Sequence, residues 1–248
     1  MQLYTPINTL KPVAEHLWIA DGPIVTMRYG GVSLPFPTRM VVARLSDGGL
    51  WIWSPTEPEP ALVDAVRALG PVRHLVSPNC IHYAHIPAWK ALFPDAIAWS
   101  SPGVEARARS QQIEVRFDAA LGEAPDPAWA AEIDQVMVHG SRLLTEVVFF
   151  HRASRTAILA DLIENFERDK ISAGFYALTR LGGVADPDGQ TPRDLRLTFL
   201  GHTDEARAAV ERVLAWAPER VIIAHGRWYP SDGLAELRRG LRWVGATG

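Results

Sequence analysis

VRHLVSPNCIHYAH, residues 72–85, opens as a short, largely apolar run and breaks into a loop carrying His82 and His85. Two later stretches repeat the plan: TAILAD, residues 156–161, ends on Asp161, and VIIAHG, residues 221–226, reaches His225 just before a glycine. A short apolar run halted by a polar residue reads as a strand buried on both faces, and its C-terminal end is where the chain surfaces into a loop. A side chain just past such an end is held by the packing of the strand itself. Several ends on one edge can therefore bring imidazoles and a carboxylate together without ordering a long loop. Imidazole nitrogen and carboxylate oxygen are donors that zinc, iron and manganese accept.

Outward from these runs, the N-terminal third alternates like antiparallel β structure: HLWIADG, then TMRYGGVSLPFPTRMVVARL, the hairpin signal Ser46-Asp47-Gly48-Gly49, and LWIWSP. Pro58 and Pro60 introduce a helix whose apolar positions Leu62, Val63, Val66 and Leu69 follow helical spacing, with Gly70 as its C-cap. IPAWKALF reads as a short helix, AIAWSS as a strand and GVEARARSQQ as a helix. Strands follow around IDQVMVHG and TEVVFFHR, with His151 at a surface hairpin turn. LIENFERDKISAGFYALTRLG, residues 162–182, reads as helical, and the Gly/Asp/Pro-rich stretch after it, from Val184 to Asp194, is a candidate gate or substrate loop. Thr203 is a suitable N-cap for DEARAAVERVLAW, and DGLAELRRGLRWV supplies a last helix. Strands early and helix–strand alternation later predict an α/β sandwich with mixed sheets between outer helices.

The chain has 248 residues, 48% of them hydrophobic, and no linker divides it, so one domain spanning 1–248 is expected. A net charge of -3 with interspersed signs predicts no nucleic-acid partner and no membrane partner. The N-terminal residues lack a basic segment followed by an apolar core, and no stretch reaches the ~20 apolar residues of a membrane span, which predicts a cytoplasmic protein. The lone Cys80 excludes an internal disulfide and agrees with a reducing compartment. No Gly-x-Ser-x-Gly elbow, phosphate-binding Gly-rich loop, dinucleotide fingerprint or Cys-x-x-Cys pair is present.

The order of a strand ending in a His-rich loop, a hairpin whose second strand ends in Asp, then helix, strand and His-Gly resembles the metallo-β-lactamase superfamily over nearly the whole chain. More narrowly, PTRMVVARLSDGGLWIWSP (37–55), LVSPNCIHYAHIPAWKALFPDA (75–96), EVVFFHRASRTAILADLIENF (146–166) and IIAHG (222–226) resemble a branch of it known as a domain of unknown function. The resemblance implies an αββα sandwich, two mixed β-sheets flanked by helices. It also implies hydrolysis of an ester, lactone, thioester or phosphoester by a metal-bound water.

The superfamily motif His-x-His-x-Asp-His aligns with Cys80-x-His82-x-Ala84-His85, so a cysteine replaces the first histidine and an alanine the aspartate. Cysteine still ligates as a thiolate, whereas alanine cannot ligate. His139 is nearest to the family's middle histidine, Asp161 matches the bridging aspartate and His225 the last histidine. The resemblance therefore implies His85, Asp161 and His225 as ligands of one divalent metal, zinc first and iron or manganese next. His82, Cys80 and His139 are further candidate ligands, and Asp161 and His82 carry the catalytic roles. Asn79 is a candidate substrate or supporting contact, Trp228 a pocket wall, and Arg227 an anion contact. Each residue has a structural alternative: Asp161 as a helix cap, His82 and His85 as loop hydrogen-bonders, Cys80 as a small buried hydrophobe. A non-catalytic binding or scaffold protein that has lost its metals is the rival function.

Overall fold

The computed structural model describes residues 1–29 and 32–246. β1 (Lys11–Ala14), β2 (Leu17–Tyr29), β3 (Val32–Arg44), β4 (Leu50–Trp53), β5 (Val72–Val76), β6 (Ile97–Ser100) and β7 (Ala119–Ala120) form one sheet in sequence order. Its first four strands pair antiparallel and β4 to β7 pair parallel. β8 (Ile133–Val138), β9 (Glu146–His151), β10 (Thr156–Leu159) and β11 (Arg220–Ile223) form a second sheet in the order β11-β10-β9-β8, parallel only between β10 and β11. The helices are α1 (Pro60–Leu69), α2 (Ile86–Leu92), α3 (Val104–Ser110), α4 (Ala173–Gly182), α5 (Arg193–Leu197), α6 (Thr203–Ala215) and α7 (Gly233–Gly240).

Alternation along the strands builds the layers. Val41, Ala43, Trp51 and Trp53 point from the first sheet toward Val147, Phe149, Ile158 and Ile222 of the second. Their neighbours Met40, Val42, Leu50 and Ile52 face the other way, onto Leu62, Val63 and Val66 of α1 and Trp89 of α2. Val148, Phe150, Val221 and Ile223 likewise turn outward onto Val210 and Val213 of α6 and Leu237 of α7. Both faces of β4, β9 and β10, and of most of β5 and β11, are thus buried, which is why these strands read as continuous apolar runs. Trp51 meets Phe149 edge-on at 5.0 Å across the sandwich, and truncating such a fully buried ring costs ~3–5 kcal/mol. The Asp47-Gly48-Gly49 turn joins β3 and β4 as expected, with Asp47 Oδ1 accepting from the Gly49 amide at 2.7 Å.

Three local expectations are corrected. The helix over 162–182 begins only at Ala173, because the backbone of Glu164, Asn165 and Phe166 bridges to Gln190, Gly226 and Ala185, and Ser172 Oγ then accepts the Phe175 amide as a cap. Thr203 opens α6 as its first helical residue rather than capping it, since His202 occupies the cap position. His151 is not at the surface: it is buried, with Nδ1 2.8 Å from Ser154 Oγ. No described helix is long and apolar enough to cross a membrane.

The register of the second sheet sets up the site. Leu159 of β10 is paired with Ile223 of β11 in parallel, so Asp161 and His225, each two residues further on, leave the sheet side by side.

Candidate metal centre

A buried carboxylate builds the turn that presents Asp161. Glu146, at the start of β9, accepts the backbone amides of Ala160 at 2.8 Å and Asp161 at 2.7 Å, and it is wholly buried. Asn79, also wholly buried, donates through one amide group to Glu146 Oε2 at 3.1 Å and to Asp161 Oδ2 at 2.6 Å, while its Oδ1 accepts the Ile81 amide. The turn after β5 is thereby pinned to the turn after β10.

His82 and His225 approach the same carboxylate. His82 Nε2 is 3.2 Å from Asp161 Oδ2, and His225 Nε2 is 3.3 Å from Asp161 Oδ1. Their far nitrogens are held as well: Ser54 Oγ lies 2.8 Å from His82 Nδ1, and His225 Nδ1 lies 2.7 Å from the Pro37 carbonyl. Phe36 leans on His225 with ring centroids 5.2 Å apart. Gly226 lets the chain turn away behind the ring at φ +94°, where a Cβ would sit 2.0 Å from Asn165 O. Arg39 Nη1 donates to the carbonyls of Ile223 and Gly226 on either side of His225, and Asp21 neutralises its guanidinium at 2.7 Å.

The hydrogen bonds fix a proton. A carbonyl only accepts, so His225 Nδ1 carries the hydrogen, and in the neutral ring Nε2 is then a lone pair. That lone pair faces a carboxylate oxygen, an arrangement that calls for a cation between them, either a ring proton or a metal ion. The donor set fits a small divalent ion. Asp161 Oδ1 lies 3.4 Å from His82 Nε2 and 3.3 Å from His225 Nε2, near the ~3.3 Å that tetrahedral bonds of ~2.0–2.1 Å impose between donors, and the three donor atoms all lie within 4.8 Å of one another. Burial pushes the Asp161 carboxyl up, but the charge of His82 and the hydrogen bonds from His225 and His82 override it and hold the group well below the usual carboxylate range. Burial, followed by repulsion from Asp161, pushes Glu146 up against the pull of its amide donors.

The other sequence candidates stand elsewhere. His85 occupies the position just before α2, and its buried Nε2 has no hydrogen-bond partner among the described residues. It lines a small cleft with His82 and His225, but the ring that meets Asp161 is that of His82, because Ser54 and Asn79 orient the preceding turn. Cys80 is buried with Sγ facing Leu143 O at 3.7 Å, and burial raises its thiol pKa, which disfavours the thiolate a metal needs. His139 is drawn off by Glu123 at 2.7 Å. Asn79 spends its amide nitrogen on Glu146 and Asp161 and its oxygen on the Ile81 amide, so it braces the Asp161 turn. Arg227 pairs with Asp186, and Trp228 packs between the two cores.

Sequence reading passes over Glu146, Ser54, Glu164 and Arg39. Ser54 follows the apolar run LWIW and could have been found by the same rule that finds Asp161. Glu146 heads a strand, where a lone charge signals nothing until the register is known.

Beside His82, Asp161 and His225 opens a cavity of about 180 Å³ whose lining includes Asp161 and His225. Phe36, Phe166, Phe175, Leu178, Val184 and Leu195 supply apolar wall, and Glu164 and Asp194 also face it. α4 roofs the cavity with Phe175, Leu178, Thr179 and Gly182, the one-faced spacing of a helix. Glu164 is pushed up to about 8, by burial first and then by repulsion from Asp161, Asp194 and Glu146, against the pull of His225.

Residues 27–174 match the model of a family described as a domain of unknown function, DUF4336. No curated protein matches the sequence. Among solved structures, a metallo-β-lactamase from Pontibacter korlensis is 13% identical, with a TM-score of 0.62 over 98% of this chain and 99% of that one. A metallo-β-lactamase from Hirschia baltica is 11% identical, with a TM-score of 0.63 over 100% of both chains. The metallo-β-lactamase FIM-1 from Pseudomonas aeruginosa, solved in a mono-zinc form, is 12% identical, with a TM-score of 0.63 over 99% of this chain and 96% of its own. At such identities the likeness establishes the αββα fold alone.

Proposed function

The chain belongs to the DUF4336 family, and on its metallo-β-lactamase-like fold we propose that it is a metal-dependent hydrolase. One divalent ion, zinc first and iron or manganese next, is held by His82, Asp161 and His225. The observation that carries this reading is the His225 tautomer: its proton is committed to Pro37 O, leaving Nε2 aimed with His82 Nε2 at one carboxylate. A bound divalent ion would lower the pKa of a water toward ~7 and polarise a carbonyl or phosphoryl oxygen.

The chain's own residues do the rest. Ser54 and Pro37 fix the two imidazoles, and Glu146 and Asn79 fix the carboxylate, so the donors are set before any ligand arrives. Three protein donors leave a tetrahedral position for water or substrate, as catalytic sites require. The apolar cavity beside them excludes water from one side of the reacting centre. The reaction class is hydrolysis of an ester, lactone, thioester or phosphoester.

A second reading, a binding or scaffold protein without metal, is favoured by one observation. Ala84 stands where the superfamily motif has its aspartate, and neither Cys80 nor His139 joins the ligand group. Elemental mass spectrometry on protein purified without added metal separates the two. About one zinc, iron or manganese per chain, lost in an Asp161→Ala/His225→Ala double variant that still folds, supports the hydrolase. A folded, metal-free wild type supports the scaffold.

A further inference from the structure

α4 has well-fixed ends and packs little of itself away. Ser172 caps its first turn, Gly183 closes it in the left-handed region, and Thr179 is the only buried residue among the described residues of the helix. A surface helix ordinarily turns an apolar stripe onto a core. Phe175 and Leu178, with Thr179 and Gly182, instead face the cavity of about 180 Å³ beside Asp161 and His225. Leu178 is 51% exposed, and Leu181, one turn on, 69%. A single exposed leucine means little, but an apolar stripe that roofs a cavity next to converging polar groups marks a place for a ligand.

The rest of the wall is a hydrophobic cluster separate from the two cores of the sandwich. Phe36, Phe166 and Val184 are buried in it and Met27, Leu34 and Phe175 pack against them, and all six line the cavity. Rings run in sequence from the polar end to the helix: His225 to Phe36 at 5.2 Å between centroids, Phe36 to Phe166 at 6.1 Å, and Phe166 to Phe175 at 5.6 Å. The half-exposed Leu143 and Leu178 form the mouth. Among the described residues no lysine or arginine lines the cavity. An apolar cavity of ~150 Å³ holds a benzene ring, so about 180 Å³ holds about six carbons.

We propose that this cavity holds an uncharged hydrocarbon chain or ring of about six carbons, attached directly to the group hydrolysed beside it, which makes the substrate a medium-chain ester or thioester. The scissile bond in this statement rests on the hydrolase reading, but the binding of the chain does not. Beyond about eight carbons the chain leaves the cavity and lies along Leu178 and Leu181, half in water, with little further gain.

Two measurements keep the parts separable. The first is isothermal titration of the purified protein with propyl, pentyl and heptyl methyl ketone, which carry the chain and a carbonyl but no scissile bond. Binding should tighten about tenfold from propyl to pentyl and less from pentyl to heptyl. At Gly182 an added Cβ meets only Val184, at an ordinary 3.7 Å, so Gly182→Leu should fold yet weaken the pentyl ketone about tenfold by filling the cavity. Phe175→Ala, which trims the wall, should carry the gain on to the heptyl ketone. The second measurement is kcat/KM of the zinc-loaded protein on methyl butanoate, hexanoate and octanoate and on propyl, pentyl and heptyl acetate. A steep rise in the first series puts the chain on the acyl side of the bond, and in the second on the alcohol side. Equal binding of the three ketones, failure of the pentyl and heptyl ketones to bind at millimolar concentration, or wild-type binding in Gly182→Leu overturns the proposal. The expected order of ketones without turnover of any ester keeps the cavity assignment and sinks the hydrolase. Turnover indifferent to chain length, with no ketone bound, does the opposite.

Discussion

The turn that presents Asp161 and the turn that presents His82 solve one problem by different means. The first is built around a buried carboxyl group: Glu146 gathers the Ala160 and Asp161 amides and the Asn79 side chain, so the backbone itself depends on it. The second is an ordinary polar turn whose ring is steered from outside by Ser54. One support is structural and the other only directional, so losing each should register in a different measurement.

The largest effect is expected from Glu146→Ala. Removing a wholly buried carboxylate strands amides with no water to replace it, at a cost of ~3–5 kcal/mol, read as a fall in Tm. A variant that melts like the wild type would show that the Asp161 turn holds itself. Ser54→Ala should leave Tm within about 1 °C yet weaken zinc binding ~10–100-fold, measured by competition with a chromogenic chelator. Unchanged affinity would mean that His82 needs no steering. His85→Ala sharpens the contrast within one loop: zinc stoichiometry should not change, and its loss would return His85 to the ligand set.

The smallest effect is a pH dependence. The Glu164 carboxyl ionises near 4.5 when unfolded but is pushed up to about 8 in the fold. Between those values the folded state binds the extra proton, so stability falls as pH rises through that window. Glu164→Gln should flatten the decline, by on the order of 1–2 kcal/mol once partial solvent screening is allowed for, seen by comparing Tm at pH 5 and pH 8.5. An identical slope in the variant would place the titration elsewhere.

The same contrast explains what could be read from residues alone. β10 and β11 are legible because both their faces are buried, and Asp161 and His225 stand out as the polar residues at their ends. Between His82 and His85 the sequence offers no decision. Which ring meets Asp161 depends on Ser54, at the end of a different strand, and on Asn79 bonding across to the second sheet. The resemblance to the superfamily points to His85, whereas the ring within reach of Asp161 is that of His82. Glu146 is invisible for a similar reason: its role exists only because β9 lies beside β10, which no local pattern states. Cys80 and His139 share the chemistry of ligands but lack the direction, one facing Leu143 O and the other captured by Glu123.

Arg39 adds a constraint in time. Its guanidinium on β3 reaches across 184 residues to Ile223 O and 187 to Gly226 O, and it is buried with Asp21 among the earliest strands of the chain. Contacts of such separation form slowly, because a long loop must close before they are rewarded. During synthesis from the N-terminus, His82 and Asp161 emerge well before His225 exists. The clasp around His225 can therefore close only on a chain made past residue 226, and the grouping of His82, Asp161 and His225 is among the last features to be completed.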